Sequence, residues 1–567
     1  KFGNVYAQCF EKVDSLLANE TVEPAAFLWM QGERDARIPE AGKDYYQNFK
    51  QLIESIRAKL NQPKLPFIFG MVNPPAEKYA ALTTVRNAQR KIAKDLPNVF
   101  IIETDDLEKL KDNLHYNAAG QMELGHRFGE QLKGLLYQKQ LSNQLALLPA
   151  YEEKTSTKDW LIEKPDTKAG VFQKDGKELI LSNGLVSRTF SLRPNFATTS
   201  YKNLQTKEEY IRAVKPEAAI MIDSLTYPIG GLIGQKEMGY LLPEWLTEMK
   251  SDSMAFGFTK FEVKDLEERF KWKKTRWATI SQHPAKGKEI ICHYQHSLPA
   301  LKGVRVKVHY EIYDNIPLIS KWLSVENNGN QQIKINHFTS EIIAHPEKNN
   351  FVDIPKKWEY PNLYLENDYA FSGMTYDESN QALTWETDPA YTSQVNWERK
   401  MPCVLKSQPK IGPQMQLAAG NSFESFRTFI LALDNGDRER NTLAKRKMYR
   451  TLAPWATENP IFMHLTSTEP SVVKNAIDQC AETGYEMVIL SFGSGLNMED
   501  TTATNIQKFK ALADYAHSKN IQLGGYSLFS SRRIDDATDV VDIKTGLPGG
   551  AKFGGHAPCG GSEWGIA

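Results

Sequence analysis

Asp112 and His115 are the two residues whose types and spacing most directly allow chemistry. They lie in "DNLHYNAAG", where an acidic residue precedes a histidine by three positions and small residues suggest the start of a helix. A histidine acts as general base when one ring nitrogen accepts a proton and the other donates to an orienting carboxylate. The alternative is that Asp112 caps the helix and His115 is a surface residue. The motif alone does not distinguish these two alternatives, because Asp-x-x-His is expected about once by chance in such a chain. Other motifs in the sequence have to decide between them.

A second motif supplies the other requirement of acyl transfer, a donor for the developing oxyanion. In "WMQGERDA", Gln31, Gly32 and Glu33 directly follow an apolar strand, at the sheet edge where α/β folds bind ligands. The Gly32 N–H and the Gln31 side-chain amide could be the donors. Because "DNLHYNAAG" also follows a strand, "NVFIIET", we expect both motifs to reach one crevice.

The elements that must position these motifs belong to the first of three predicted segments. Residues 1–145 alternate helical patterns, such as "YYQNFKQLIESIRAKL", with the short apolar runs "AAFLWM", "LPFIFGMV" and "NVFIIET". Near-continuously apolar strands are typical of a parallel sheet covered by helices on both faces. We therefore predict an α/β domain.

Residues 150–455 have a period of two and predict a large antiparallel β-sandwich. In "GVRVKVHYEIYDN", alternate residues from Val304 to Ile312 would face one side, and those from Arg305 to Glu311 the other. The dipeptides Asp314-Asn315, Asn183-Gly184 and Asn328-Gly329 each predict a turn between paired strands.

Residues 456–567 return to alternating strands and helices. "IFMHLTS", "YEMVILSF" and "IQLGGYSLFS" are predicted strands, separated by the helical patterns "PSVVKNAIDQCAETG" and "NIQKFKALADYAHSKN". This order predicts the first part of a (β/α) TIM barrel. A short doubly wound sheet is the alternative.

Composition excludes several kinds of partner. Lysine plus arginine equals aspartate plus glutamate, at 69 each, so neither nucleic acid nor an anionic membrane is expected to bind. No apolar run approaches the roughly 20 residues of a membrane span. The five cysteines are Cys9, Cys292, Cys403, Cys480 and Cys559. They form no C-x-x-C pair, so we expect neither a disulfide framework nor a zinc site, and no cofactor is indicated.

Two other features invite a binding hypothesis. "CHYQH" resembles a metal motif, yet on a strand His293 and His296 would point to opposite faces and could not share an ion. Nine of the eleven tryptophans lie between Trp160 and Trp455, which would suit stacking against sugars. Core packing is the alternative for each of them.

The motifs "QGERD" and "DNLHYNAAGQMELGHRF" resemble the SGNH hydrolases, in the branch of sialate O-acetylesterases and acetylxylan esterases. The resemblance covers most of residues 1–140 and implies a flavodoxin-like fold. It also implies that Asp112 and His115 are triad members and that Gln31 and Glu33 shape the oxyanion pocket and substrate side. "MVNPP" and "VRNAQ" look like further neighbours of the site.

The nucleophile of that family is a serine in a Gly-Gln-Ser-Asn type loop after the first strand. No such loop precedes Gln31, and Ser15 lies within a helical pattern. We interpret the chain, which starts at Lys1 and stops at Ala567, as a fragment at both ends. Its esterase domain is expected to lack the first strand and the serine, and therefore to be inactive alone.

The second segment, in "LSNGLVSRTFSL" and "YEIYDNIPLISKWLSVENNGN", resembles the galactose-mutarotase-like sandwich of the retaining α-galactosidase-like glycosidases. In that group a (β/α)8 barrel follows, with its catalytic carboxylates at positions we expect beyond Ala567. The loop "LSFGSGLNMED" departs from the group's Asp-Asp-Gly-Trp run. Asn497, Arg532 and Trp564 are candidate substrate contacts on barrel loops, with ordinary loop or packing roles as the alternative.

Together these resemblances suggest a carbohydrate-active hydrolase of periplasmic or extracellular location. An O-acetylesterase with His115 as base and then acid would deacetylate an acetylated glycan or oligosaccharide, and an α-galactosidase-like module would cleave it. The alternatives are a non-catalytic glycan-binding protein and a glycosidase with a relic esterase domain.

Overall fold

The computed structural model describes most of the chain and divides it into two compact units. The described residues are 3–19, 22–163, 165–269, 271–276, 283–350, 357–369, 382–457, 459–498, 500–526, 540–542 and 564–566. Unit 1 comprises Lys1–Gln144 and unit 2 comprises Leu145–Ala567. Each unit is described by itself.

Unit 1 is built around a parallel sheet of three strands. The strands are β1 (Phe27–Trp29), β2 (Phe67–Gly70) and β3 (Val99–Ile102), and the helices are α1 (Gly3–Asn19), α2 (Glu33–Arg37), α3 (Pro39–Lys59), α4 (Leu82–Asp95) and α5 (Ala118–Ala146). The strand order is β1-β2-β3. Trp29 pairs with Phe69, and Gly70 with Ile102, so all three strands end at the same edge. The candidate motifs follow two of these strand ends.

Apolar side chains cover both faces of this sheet. Every residue of β2 is buried. On one face Phe67 and Phe69 pack with Phe49 of α3, and on the other Ile68 packs with Phe128 of α5. Because helices cover both faces of the sheet, the strand sequences are nearly continuous apolar runs. The alternation of strands and helices agrees with the α/β pattern predicted for this segment.

Unit 2 begins with four antiparallel sheets that form the sandwich region. Its strands are β4 (Gly170–Lys174), β5 (Glu178–Ser182), β6 (Val186–Ser191), β7 (Ala197–Asn203), β8 (Ala218–Ile222), β9 (Leu225–Ile229), β10 (Gly257–Asp265), β11 (Gly287–Gln295), β12 (Val304–Tyr313), β13 (Leu318–Asn327), β14 (Ile333–Thr339), β15 (Glu341–Ala344), β16 (Leu363–Asn367), β17 (Leu383–Thr387), β18 (Pro402–Ser407), β19 (Pro413–Leu417), β20 (Ser422–Glu424) and β21 (Thr428–Ala432). The sheet orders are β4-β5-β6-β7, β10-β11-β12-β13-β21-β16 with β20 beside β13, β19-β14-β8-β9 and β15-β18-β17.

Strand β12 shows the predicted alternation. Val306, Val308 and Tyr310 are fully buried, whereas Arg305 is exposed. Glu311 lies on the second face but is also buried, because side chains of neighbouring strands hydrogen-bond to it. The second face is therefore not a simple solvent face.

Two of the three predicted turns join paired strands, and the third does not. Asp314-Asn315 connects β12 to β13, and Asn183-Gly184 connects β5 to β6, each an antiparallel pair. The hairpin predicted at Asn328-Gly329 is wrong. After it the chain enters β14, which pairs with β8 and β19 in another sheet instead of returning along β13. Turn residues reverse the chain, but burial decides which sheet the next strand joins.

The last part of unit 2 adds helices and a second parallel sheet. Its elements are α6 (Arg438–Leu452), α7 (Pro454–Thr457), β22 (Phe462–Leu465), α8 (Pro470–Thr483), β23 (Met487–Leu490), α9 (Ala503–Ser518), β24 (Gln522–Gly525), β25 (Val540–Asp542) and β26 (Trp564–Ile566). Strands β22, β23 and β24 are parallel and adjacent in chain order, which agrees with the predicted opening of a (β/α) barrel. None of the described helices is both long and apolar enough to span a bilayer.

Candidate functional site

Asp112 and His115 form a direct contact at the edge where the strands of unit 1 end. The Nδ1 atom of His115 lies 2.6 Å from Oδ2 of Asp112. The other carboxylate oxygen accepts the backbone N–H groups of Leu114 and His115, each at 3.0 Å. The carboxylate therefore fixes both the turn and the imidazole ring.

A different residue caps the following helix, so the capping alternative for Asp112 does not hold. Helix α5 begins at Ala118, and Oδ1 of Asn117 accepts the N–H of Gly120 at 2.8 Å. Asn113 has φ of 55°, a left-handed conformation that asparagine tolerates, and the Leu110 N–H donates to the His115 carbonyl at 2.8 Å. This tight turn brings residues three apart into contact.

The hydrogen bonds hold Asp112 ionised. Donation from His115 and from the Leu114 and His115 backbone lowers the pKa of Asp112 to about 2. The His115 side chain is 68% exposed and that of Asp112 48%. With Nδ1 engaged by the carboxylate, Nε2 is the nitrogen available for proton transfer at the surface.

The second motif occupies the end of β1. Gly32 precedes the short helix α2 with φ of 139°, and a Cβ atom there would lie 2.9 Å from Val72 Cγ1. Only glycine fits this turn without strain. The Gln31 amide donates to Asp35 Oδ2 at 2.6 Å, and Glu33, half-buried, begins α2. The Gln31 side chain is thus held by the helix that follows it.

A buried hydrogen-bond network fixes this turn to the rest of unit 1. The Tyr45 hydroxyl donates to the Gln31 carbonyl at 3.0 Å and accepts from Gln89 Nε2 at 3.3 Å. Gln89 Oε1 in turn accepts the Val72 N–H at 3.1 Å. Burial raises the pKa of Tyr45, so its hydroxyl remains a donor. The network connects "QGERD", "MVNPP" and "VRNAQ" physically.

A second set of contacts ties the loop after β3 to the loop after β2. Arg86 donates to both Asp105 carboxylate oxygens at 2.7 Å and to the Val72 carbonyl at 3.0 Å. Lys109 donates to the Asn73 carbonyl. The hydrogen bond to Asp105 is the main cause that raises the pKa of Arg86, which therefore stays charged. These bonds fix the segment that leads into Asp112.

The structure brings the two motifs to one edge without a direct bond between them. Burial chiefly raises the pKa of Tyr116, and the negative charge of Glu33 raises it further, which places Glu33 within electrostatic range of the residue after His115. Within the described chain, no hydrogen bond joins Asp112 or His115 to Gln31 or Glu33.

Sequence reasoning missed the contacts that the supporting residues make. Tyr45 reads as an ordinary core aromatic of a helix, and no local pattern shows that its hydroxyl reaches Gln31. Arg86 and Asp105 are 19 residues apart, and no local pattern shows that they pair. Arg86 and Gln89 both lie in the "VRNAQ" motif, so the family resemblance was the available signal for these two residues.

The three residues predicted to contact a glycosidase substrate are not brought into one site by the described structure. Asn497 is exposed on the segment after β23. Trp564 has its backbone in β26, where it pairs with Asp542, and Arg532 lies outside the described residues.

The two histidines of "CHYQH" have separate partners. His293 Nε2 lies 3.1 Å from Glu262 Oε1, and His296 contacts the Met254 carbonyl. Among described residues no group of three or more His, Cys, Asp or Glu side chains is arranged to hold a metal ion.

The described tryptophans of the sandwich region range from buried to exposed, and Trp245, Trp272, Trp358 and Trp385 are half-buried. Trp160 and Trp322 are 1% and 3% exposed. The Trp322 ring stacks on His309 with centroids 4.5 Å apart, and Arg427 lies 3.7 Å from its centroid. Trp397 and Trp455 are 63% and 36% exposed. Core packing therefore accounts for Trp160 and Trp322 but not for the exposed pair.

Comparison with known proteins finds a family similarity in the N-terminal region. Residues 1–133 match the family described as carbohydrate esterase, sialic acid-specific acetylesterase. A probable carbohydrate esterase of Arabidopsis thaliana is 34% identical over 103 residues, which are 18% of this chain and 38% of that protein. The chain thus spans less than two fifths of the curated relative that it matches.

Solved structures show similarity over different parts of the chain. A crystal structure of an Arabidopsis thaliana protein, at 27% identity, covers 24% of this chain and 54% of its own, with a TM-score of 0.21. A GH36 α-galactosidase of Geobacillus stearothermophilus, at 13% identity, covers 64% and 57%, with a TM-score of 0.37. The α-galactosidase of Lactobacillus brevis, at 11% identity, covers 68% and 58%, with a TM-score of 0.36. Residues 1–133 therefore match the carbohydrate esterases, as their two motifs predict, and GH36 α-galactosidases are structural neighbours over most of the chain.

Proposed function

We propose that unit 1 is the base-bearing part of an O-acetylesterase that acts on acetylated glycans. The observation that carries the proposal is the 2.6 Å contact between Asp112 and His115, within a region that matches the carbohydrate esterases. The ionised Asp112 orients the ring through Nδ1 and stabilises the imidazolium that forms during reaction. His115 Nε2 is then the proton acceptor.

The chemistry proceeds in two halves. A serine hydroxyl gives its proton to His115 Nε2 while its oxygen bonds to the acetyl carbonyl carbon. The tetrahedral oxyanion collapses, and the imidazolium returns the proton to the departing sugar oxygen. Water then repeats these steps on the acetyl-serine and releases acetate. The Gly32 N–H, held by the Tyr45 network, is our candidate oxyanion donor.

No serine among the described residues is assigned as the nucleophile of the proposed esterase. In the part of the chain that the structure describes, no serine hydroxyl is hydrogen-bonded to His115. Ser15 is exposed on α1, which offers no strained turn for a nucleophile. We propose that the nucleophile is supplied by a segment outside the described residues.

The substrate proposal extends to unit 2. An O-acetyl group blocks a pocket that hydrogen-bonds the free hydroxyl, so deacetylation before glycosidic cleavage makes chemical sense. The support for a glycosidase module is the order of antiparallel sheets followed by parallel strands β22 to β24. Periplasmic or extracellular action on sialylated or otherwise acetylated glycans is part of the same proposal.

Acetate release by the natural protein tests the esterase. We expect His115→Ala to lower kcat on an O-acetylated sugar by about 10³–10⁴-fold. His126→Ala, an exposed histidine on α5, is the matched control and should leave kcat unchanged. Equal activity of His115→Ala and the wild type would exclude the proposed base.

The same protein distinguishes the two rival functions. A glycan-binding protein would retain sugar without releasing acetate or cleaving a glycosidic bond. A glycosidase with a relic esterase region would cleave the bond but release no acetate. Either result would replace the esterase proposal.

A further inference from the structure

A cavity of about 420 Å³ lies in unit 2, between the outer face of the seven-stranded sheet and the helices α6 and α7. Residues of β12, β16 and β21 line one side, and the end of α6 with Trp455 of α7 lines the other. Its volume falls in the range of small-molecule sites. None of its residues belongs to the proposed esterase chemistry.

The inner wall of the cavity is apolar and rigid. Phe429 of β21 is 8% exposed and Met448 of α6 is 2% exposed. Trp455 is held by Trp272 and His283, with ring centroids 6.1 and 5.9 Å away, yet remains 36% exposed. A fixed, partly exposed indole offers a flat surface for the apolar C–H face of a ligand.

The remaining wall carries carboxylates that already have donors. Glu311 accepts from Arg427 Nη1 at 3.0 Å, from the Tyr313 hydroxyl at 2.6 Å and from the Ser320 hydroxyl at 2.8 Å. These donors fill the acceptor positions of Glu311, which is buried. Glu366 is half-buried and accepts from the hydroxyl groups of Tyr364 and Tyr449, so about half of its roughly four acceptor positions stay open to further hydroxyl donors.

Another wall residue supplies hydrogen-bond donors. The Arg427 side chain is 12% exposed, and its guanidinium carries five N–H donors, of which Nη1 binds Glu311. Donors and acceptors are thus mixed beside an aromatic surface.

The charged residues that line the cavity restrict the class of ligand that can bind there. Five carboxylates line the cavity together with the guanidinium groups of Arg269 and Arg427; they belong to Glu267, Glu268, Glu311, Glu366 and Asp368. Five carboxylates against two guanidinium groups disfavour an anion. A cation is not required either, because four of the five already contact Arg269, Arg427, a tyrosine hydroxyl or His283, and the fifth, Glu267, is exposed to solvent. A neutral polyhydroxylated ring satisfies both conditions and also suits the indole.

We propose that this cavity binds a neutral hexose unit of a glycan, as an anchoring site made by residues other than the Asp112–His115 dyad. The Trp455 ring packs against the C–H face of the sugar, and Glu366 and Arg427 hydrogen-bond its hydroxyl groups. The inference does not depend on the esterase proposal, because a glycan-binding or glycosidase protein could use the same anchor.

Isothermal titration with D-galactose, D-glucose and D-mannose tests the site in the intact chain. We expect saturable binding of at least one hexose with a dissociation constant of about 1–10 mM. N-acetylneuraminic acid and choline are the anionic and cationic probes and should not bind. Absence of binding by all three hexoses would overturn the proposal, as would equal affinity for either charged probe.

Two tryptophan variants test whether the hexose binds in this cavity. Trp455→Ala should weaken hexose binding about tenfold or more, whereas Trp397→Ala, an exposed tryptophan that does not line the cavity, should leave it unchanged. Unchanged affinity of a folded Trp455→Ala variant would refute the site. If that variant does not fold, Glu366→Gln decides: we expect weaker binding of the same hexose, and wild-type affinity would refute the site.

Discussion

Two groups of charged residues in this molecule each hold an ionised carboxylate, one at the surface and one in the interior. Asp112 and His115 are exposed and three residues apart, on one turn. Arg188, Lys321 and Glu341 are 0–1% exposed, and Arg188 lies 153 positions before Glu341 in the chain. Nζ of Lys321 and Nη1 of Arg188 each lie 2.6 Å from the Glu341 carboxylate.

Both groups contain a carboxylate whose pKa is lowered to about 2, for different reasons. For Asp112 the cause is donation from His115 and two backbone N–H groups. For Glu341, burial opposes ionisation, but the charges of Arg188 and Lys321 outweigh it. The exposed pair can meet a substrate, and the buried group can only stabilise the fold. A low carboxylate pKa alone therefore does not mark a functional site.

Removing one charge of the buried group should have the largest effect. Lys321→Met leaves Glu341 and Glu217 with one cation instead of two, and we expect a loss of about 3–5 kcal/mol in the free energy of unfolding of unit 2. Urea denaturation followed by tryptophan fluorescence measures it. The control is Asp514→Asn, which breaks an exposed pair with Lys510 and should cost less than about 1 kcal/mol. Equal costs would contradict the contrast between buried and exposed charges.

Acid should weaken unit 2 through Glu341. Its folded pKa of about 2 lies below the ordinary value of 4.5, so its stabilisation is complete above pH 4.5 and declines as the pH falls toward 2. We expect this decline to be on the order of 3 kcal/mol and to be reduced in Glu341→Gln. Glu424→Gln, an exposed glutamate on β20, should keep the wild-type pH dependence. An unchanged slope in Glu341→Gln would assign the acid sensitivity to other groups.

A buried network near the dyad should show an intermediate effect. Gln89→Leu removes the partner of the Val72 N–H and the donor to Tyr45, and we expect it to cost unit 1 about 1–2 kcal/mol. Thermal unfolding followed by circular dichroism gives the cost. The exposed Gln140→Leu is a matched control on α5 and should change stability by less than about 0.5 kcal/mol. A Gln89→Leu variant as stable as the control would show that the network is dispensable.

The dyad itself should matter least for stability. His115→Ala should change the free energy of unfolding of unit 1 by less than about 0.5 kcal/mol, because the side chain is exposed. We also expect this chain alone to hydrolyse p-nitrophenyl acetate no faster than its His115→Ala variant, since the serine is unassigned. Clear His115-dependent turnover would show that the chain supplies its own nucleophile.

Local patterns predicted the elements well where burial sets the pattern of apolar residues, on both faces of the sheet of unit 1 and on one face of β12. The runs around Phe67 and Val99 are strands, and the alternation from Val304 to Ile312 is a strand with one apolar face. Hydrophobic period predicts these because burial acts residue by residue. The hairpin at Asn328-Gly329 failed because the partner of the next strand lies at β8, far away in the sequence.

The dyad was predictable for the same reason that it is compact. Asp112 and His115 meet within one turn, so their spacing allowed a contact, and the second motif, "QGERD", favoured it over the alternative. The Tyr45–Gln89 network and the Arg86–Asp105 pair needed the packing of α3 and α4 on the sheet. Such contacts have no local signature.

By itself, the sequence determined the helices and strands, the two motifs, the contact between Asp112 and His115 and the family match of residues 1–133. Those features depend on periodicity, on spacing of a few residues or on direct similarity. Tertiary structure alone decided which charges are buried together, which tryptophans remain exposed and where the cavity beside Trp455 lies. Each of these depends on residues that lie far apart in the chain and meet only when the sheets and helices pack.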